Sequence, residues 1–268
     1  MNIIKTLGQA FRVPDIRKKL IFTLLMMVVF RLGACMPVPG IDRSVLNEFF
    51  NSSDSGLFGL FDLFSGGSFS NFTIFALSIT PYITASIILQ LLCVAIPSLE
   101  ALSKEGMEGR KKIAQYTRYL TVVLALVQAI GLTVGLFSSA VIDKSFFSVT
   151  CIVLTLTAGT AFLMWLGEQI NEKGIGNGIS LIIFAGIVAR MPVAIKNTWV
   201  KYTAGEVSFI SILIFLIFAL FVIVVIIEIQ QGTRKIPVQY AKRVVGRKMY
   251  GGQSTHIPMK VNQAGVIP

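Results

Sequence analysis

Charge is scarce in this chain. Of its 268 residues only 14% are Asp, Glu, Lys or Arg, while 54% are hydrophobic and the mean hydropathy is +0.76. A soluble domain carries about 25% charged residues, so the shortage excludes an ordinary globular fold and identifies a polytopic membrane protein. Histidine is scarcer still. His256 stands alone in a basic loop, so no histidine metal site or Ser-His dyad can be assembled within the membrane, which argues against an intramembrane protease. Cys35, Cys93 and Cys151 each fall inside apolar segments and read as small core residues, not as a disulfide or metal framework. No G-x-x-x-x-G-K loop occurs, so any ATPase would be a separate protein. The apolar segments also lack the carboxylates and histidines of proton-coupled transporters: Arg31 lies within the first, while Glu168 and Glu228 sit at the ends of others.

What is present is a series of charge-free runs. Leu20–Val38, broken only by Arg31, is the first. Run 63–99 is far longer than one span needs; its helical part is expected over Phe72–Ile96, leaving 57–71 as a separate piece. Runs 119–142, 145–167 and 207–227 are each long enough to cross ~30 Å of hydrocarbon once. Run 174–189 opens with GIGNG, so its helix is expected to start near Gly178, span 179–196 and continue past Arg190. Six spans result, and a seventh is expected to begin at Val261, where the sequence stops. Segments 1–19, 97–118, 168–178 and 228–260 hold 18 Lys and Arg against 5 in the intervening loops. That bias predicts a cytoplasmic N-terminus. The 190–206 segment, with three basic residues, is an exception the bias does not explain. The basic start runs into a long span without an A-x-A-like site, so the first helix is expected to remain as an anchor.

Several stretches carry information beyond topology. Residues 59–68 read GLFDLFSGGS; ten residues at ~1.5 Å each cannot cross the bilayer, and the plain reading is an external loop folded against neighbouring helices. Gly174-Ile-Gly-Asn-Gly178 looks like part of a dinucleotide fingerprint, but it follows a membrane helix and no βαβ unit surrounds it, so it reads as a tight cytoplasmic turn. Ile79 and Ile83, and likewise Ile179 and Ile183, lie four apart, on one face of their helices; alone, such pairs are ordinary core or lipid-facing residues. Span hydroxyls and amides such as Thr84 and Gln128 read as helix–helix packing. Segment 228–260 carries seven Lys and Arg against one Glu. It suits a topology signal or anionic lipid, but also an anionic partner such as ribosomal RNA, bound with strong salt dependence. At roughly 33 residues it exceeds what orientation requires, and long loops tend to be functional.

FRLGACMPVPGID (30–42), GLFDLFSGG (59–67), PYITASIILQLL (81–92), EGRKKIAQYTRY (108–119), FLMWLGEQINEKGIGNGISLIIFAGI (162–187) and RKIPVQYAKRVVGRKMYGGQSTHIPMKVNQAGVIP (234–268) together resemble the SecY family of bacterial protein-conducting channels. The resemblance implies an all-α polytopic bundle of ten spans in two inverted halves; this chain would supply the first half, span six and the start of span seven, truncated before span seven completes. It implies that Gly59, Leu60, Phe61, Asp62, Leu63, Phe64, Gly66 and Gly67 belong to a short plug helix that sits in an external funnel and leaves when a polypeptide enters. Asp62 and the glycines would keep that helix on the water side and mobile. It implies that Ile79, Ile83, Ile179 and Ile183 contribute to a constriction ring whose apolar side chains dewet the pore, and that Thr84 and Gln128 belong to a lateral gate. Arg234, Lys235, Arg243, Arg247 and Lys248 would dock the ribosome and the SecA motor; the family often has arginine where Lys235 stands, and Lys lacks the bidentate fork.

The implied function is that of the pore subunit of the Sec translocase in the bacterial cytoplasmic membrane. It would conduct unfolded polypeptides across the bilayer and release hydrophobic segments, including signal sequences, into lipid. It would perform no bond chemistry and need no cofactor. Partners would be SecE, which clamps the halves, SecG, SecA and the ribosome with its rRNA. A secondary transporter, which also uses inverted repeats, and a membrane enzyme are the rival readings; for the enzyme the sequence offers no nucleophile–base pair.

Overall fold

A computed structural model describes residues 13–42, 44–46, 50, 56–238, 243–245, 248–250 and 255–261. The first twelve residues, Arg247 and all but Val261 of the expected seventh span lie outside the described residues.

Helix α1, Pro14–Ala34, starts earlier than Leu20 because Pro14 at its first turn presets φ and Asp15 faces the positive end of the helix dipole. A short helix, α2, covers Gly56–Phe64. The next helix, α3, is Thr80–Ala95, so the expected helical start at Phe72 is corrected. Residues 65–79 are a chain of tight turns, in which Phe72 (φ 44°) and Ser78 (φ 53°) adopt left-handed backbone. Each such residue costs about 1–3 kcal/mol, and the cost is met by burial: Phe72 is enclosed and packs edge-on against Phe137, with ring centroids 5.4 Å apart. Pro81 then fixes the first turn of α3.

Ile96 is forced into extended backbone by Pro97, which breaks the chain between α3 and the short α4, Pro97–Lys104, at an angle of 102°. Helix α5, Met107–Ile130, begins well before Tyr119 and continues as a π-helical turn over Gly131–Leu136. Helix α6, Phe146–Lys173, runs beyond the end of its charge-free run into the segment read as a turn; α7 is Gly178–Thr203, with Pro192 inside it, and α8 is Phe209–Gln231. Among the described residues four helices are long and apolar enough to cross a membrane (α5 with its π turn, α6, α7 and α8), or five if α3 and α4 count as one broken span. Helix α1 is not in that set, because Asp15, Arg17, Lys18, Lys19 and Arg31 interrupt its apolar run.

The chain divides into two compact units, residues 1–194 and 195–268. In the first, α3 packs on α5, α5 on α6 and α1 on α6. One core gathers Val38, Leu46, Phe69, Phe72, Phe137, Ile152 and Leu156. A second gathers Phe30, Phe75, Ile79, Leu163, Leu166, Ile170 and Ile182. The cysteines belong to neither: Cys35 and Cys151 are exposed within the chain and Cys93 is half-buried, so their reading as core residues is corrected. Strand-like bridges Pro37–Thr73 and Ile41–Val141 stitch the 36–42 segment to the turns beside it. At the end of that segment Asp42 accepts from both the N–H and the hydroxyl of Ser44 (2.9 and 2.6 Å), which holds its carboxyl below the usual range.

The GIGNG segment is the tight turn expected of it. Thr23 Oγ1 accepts the Ile175 N–H (3.1 Å), and Asn171 Oδ1 accepts the Gly178 N–H (2.7 Å). A Cβ on Gly178 would lie 2.1 Å from the Gly167 carbonyl oxygen, so glycine is what lets α6 and α7 close to this distance.

In the second unit no residue of α8 is buried within the chain, as a lipid-facing helix requires. The 228–260 segment, read as a loop, contains an antiparallel ribbon. Strand β1, Thr233–Val238, pairs with β4, Thr255–Lys260; β2, Arg243–Val245, pairs with β3, Lys248–Tyr250. Short strands containing proline and basic residues give a weak sequence signal for a sheet.

Gly178→Ala should lower the thermal unfolding midpoint of the detergent-solubilised full-length channel, by an amount equivalent to about 1–3 kcal/mol of overpacking. An unchanged midpoint would show that the α6–α7 approach is not tight.

Candidate plug, collar and gate

Helix α2 ends through its own residues. The Gly67 N–H donates to the Asp62 carbonyl (3.0 Å) and the Gly66 N–H to the Leu63 carbonyl (3.2 Å), with Gly66 at φ +66° and Gly67 at φ +91°. This is a Schellman cap, which needs a residue free to turn left-handed at its first position beyond the helix. Ser65 reinforces it by donating to the Asp62 carbonyl (3.1 Å) and accepting from the Phe69 N–H (3.1 Å). The two glycines therefore terminate the helix. They also make room: a Cβ on Gly66 would lie 2.7 Å from Gly186 Cα, and one on Gly67 2.8 Å from Arg190 Nη2. The expectation that they keep the segment mobile is corrected, since they bring it into backbone contact with α7.

Asp62 corrects a second expectation. Its residue is only 4% exposed, not held in water. Its Oδ1 accepts the Ser70 N–H (2.8 Å), its Oδ2 pairs with the Arg190 guanidinium, and Arg190 Nη2 also donates to Ser70 Oγ (3.1 Å). A carboxylate can be buried only when paired and hydrogen-bonded in this way. Arg31, the lone charge of α1's apolar stretch, donates from Nη1 to the Gly66 carbonyl (3.2 Å). Thus Arg31 and Arg190 grip the end of α2 from two helices. No sequence motif assigns either a role, yet each is an isolated charge in an apolar run, a pattern that marks functional positions. The basic anomaly at 190–206 changes character as well, because Arg190, Lys196 and Lys201 all lie on α7 and not in a loop.

The isoleucines separate. Ile79 is 1% exposed and belongs to the second core, with Ile179 and Ile183 packed against it and Ile182 inside it. Ile83, on α3, is 37% exposed and stands outside that cluster. Ile79 itself precedes α3, accepting the Ile83 N–H through its carbonyl at 3.1 Å.

Thr84 and Gln128 come together as lining of a cavity of about 480 Å³, whose other walls include Phe61 of α2, Ser65 and Phe69 just after it, and Gly131 and Leu132 of the π turn. Thr84 meanwhile donates to the Thr80 carbonyl (3.1 Å), so its hydroxyl is satisfied within α3. Arg234 and Lys235 are exposed on β1, opposite Met259 and Pro258. Arg243 and Lys248 fall at opposite ends of the β2–β3 pair, across from Tyr250 and Val245.

These features define a polytopic helical membrane protein with a short capped helix drawn onto its bundle beside an apolar cluster. A model of the SecY family matches residues 73–268. Protein translocase subunit SecY of Streptomyces scabiei is 49% identical over 281 residues, covering 99% of this chain and 64% of the relative. Its counterparts in Halalkalibacterium halodurans and Escherichia coli K12 are 51% identical over 276 residues and 47% over 259, covering 63% and 58% of those relatives. The chain belongs to the SecY family, and it spans a little under two thirds of the length of these relatives. Solved structures agree on the fold. A protein-conducting channel superposes with a TM-score of 0.62 at 21% identity, covering 91% of this chain and 52% of that one. Canine Sec61 in a ribosome–channel complex gives 0.58 at 21%, covering 83% and 49%. A third structure, at 0.60 and 21%, covers 91% and 52%, and is described as showing that the plug domain of SecY stabilises the closed channel and maintains a membrane seal.

Gly66→Ala combines a left-handed backbone with a backbone clash and should unseat α2. Ser68, whose buried hydroxyl makes no hydrogen bond among the described residues, offers a mild reporter site. Cysteine at Ser68 should react faster with an impermeant thiol reagent in the Gly66→Ala background; equal rates would show that the Gly66–Gly186 contact does not seat the helix.

Proposed function

We propose that this chain belongs to the pore-forming subunit of a Sec translocase, which conducts unfolded polypeptides across the cytoplasmic membrane and releases hydrophobic segments sideways into lipid. The observation that carries this reading is the seating of α2: a short helix, too short to span, is tied by polar contacts to α1 and α7, one of them through a buried Asp62, next to an isoleucine cluster. In this role α2 is the plug, and Ile79, Ile83, Ile179 and Ile183 supply part of a collar completed by spans beyond this chain. Branched apolar side chains close on one another and dewet the gap. They also yield to an extended chain of any sequence, because they offer it no directional bonds. The subunit performs no bond chemistry; the work comes from SecA or the elongating ribosome. SecE and SecG complete the complex.

The N-terminus is cytoplasmic on this reading, which puts the β ribbon in the cytoplasm and the plug outside. Thr84 and Gln128 form one side of a lateral gate. The cavity they share with Phe61 and Phe69 supports this, because its largely apolar walls suit a seam that parts for a hydrophobic segment without stranding a charge in lipid. The ribbon carries Arg234, Lys235, Arg243 and Lys248 to the ribosome and SecA, and Arg247 belongs to the same basic segment of the sequence.

Two measurements test the parts separately. Ile183→Gly in the full-length channel should raise ion leakage across planar bilayers, whereas a secondary transporter would lose coupled uptake without a leak; unchanged leakage counts against the collar. Reversing charge at Arg243 and Arg247 should weaken ribosome binding and flatten its salt dependence by about one slope unit for each phosphate no longer neutralised. Unaltered affinity and slope would remove the ribbon from the docking site.

A further inference from the structure

Arg190 is left over by both the charge bias and the channel reading. It is the single charge between Gly174 and Ile195, on a helix whose buried positions are Gly178, Ile182 and Gly186. A guanidinium there is costly unless something holds it, and what holds it is the carboxylate of α2.

We infer that Arg190 is the catch of the plug: through Asp62 and Ser70 it holds the 56–70 segment shut, and the pair sets how often the resting channel opens. The inference rests on the plug reading and adds to it a named positioning residue. The geometry is specific. Asp62 accepts from the Ser70 N–H with one oxygen and pairs with Arg190 through the other, while Arg190 reaches on to Ser70 Oγ, so carboxylate, hydroxyl and guanidinium form a closed network. Gly67 leaves the space the guanidinium occupies, and Gly66 lets the backbone touch Gly186. Of the apolar side chains of α2, Phe61, Leu63 and Phe64 are exposed within this chain and contribute less grip.

The catch works because its two states differ in solvation. Seated, Asp62 is buried and needs its counter-charge; released toward water, both groups are hydrated and the pair is worth little. Removing Arg190 alone strands a carboxylate in the seated state only, so the equilibrium moves toward release. A change confined to one state shifts a two-state population by its full free energy. Arg31, which donates to the Gly66 carbonyl, holds the backbone without a charge partner in Asp62. It is a second point of attachment and not part of the pair.

The test is resting ion conductance of the full-length channel in planar bilayers, with variants at matched assembly levels. Arg190→Gln should raise the resting open fraction by about tenfold or more. Arg190→Lys, which keeps the charge, should fall clearly below it. Asp62→Asn combined with Arg190→Gln should leak less than Arg190→Gln alone, because no carboxylate is then stranded. Deletion of residues 57–67 provides the control. If the deletion leaks while Arg190→Gln matches wild type, the catch is refuted and the plug reading stands. If the deletion itself is silent, the plug reading fails and the catch with it. If Lys and Gln variants leak alike and the double variant gives no relief, the ion pair plays no part.

Discussion

A carboxylate with 4% exposure in a charge-poor membrane chain is the constraint around which this structure is organised. Asp62 cannot be buried without a cation and hydrogen-bond donors. Meeting that demand requires Arg190 at its place on α7 and the room that Gly67 leaves for its guanidinium. On the proposed plug reading the same demand allows a second state, because water can replace the interactions that hold α2 against α7. An all-apolar plug would have no such preference for leaving toward water over settling in lipid.

The turns at 65–79 connect this polar seat to the apolar cluster behind it. They carry two strained residues, Phe72 and Ser78, both buried. Phe75 stacks on Phe30 of α1, with centroids 6.0 Å apart, and Ile79 joins Ile182 and its neighbours. Displacement of α2 therefore need not disturb the cluster, because the tight, buried turns lie between them. On this account the seal has two layers with different physics: a polar latch that opens by exchange with water, and an apolar collar that opens by deformation.

Much of this was legible in the sequence, and the failures have physical causes. Charge-free runs fall on α5, α6, α7 and α8, and the GIGNG turn behaved as its glycines and asparagine demand. The α3 boundary was misjudged because run 63–99 is apolar throughout; hydropathy cannot distinguish a buried string of turns from a helix, and only Pro81 marks the start. The ribbon was missed because its alternation is masked by basic residues and by Pro237 and Pro258. Asp62 was read as a tether to water because sequence shows a charge without showing its partner, which lies far along the chain on another helix. The lone arginines were the available clue: in apolar runs, an isolated charge calls for its counter-ion to be sought.

The most direct test of the central claim is a distance between spin labels at Phe64, on α2, and Met191, on α7, in the full-length channel. The account predicts one short, narrow distribution at rest and a long, broad one when a polypeptide is arrested in the pore. A short distribution that persists with the pore occupied would contradict it, since the helix proposed to stopper the channel would then never leave its seat.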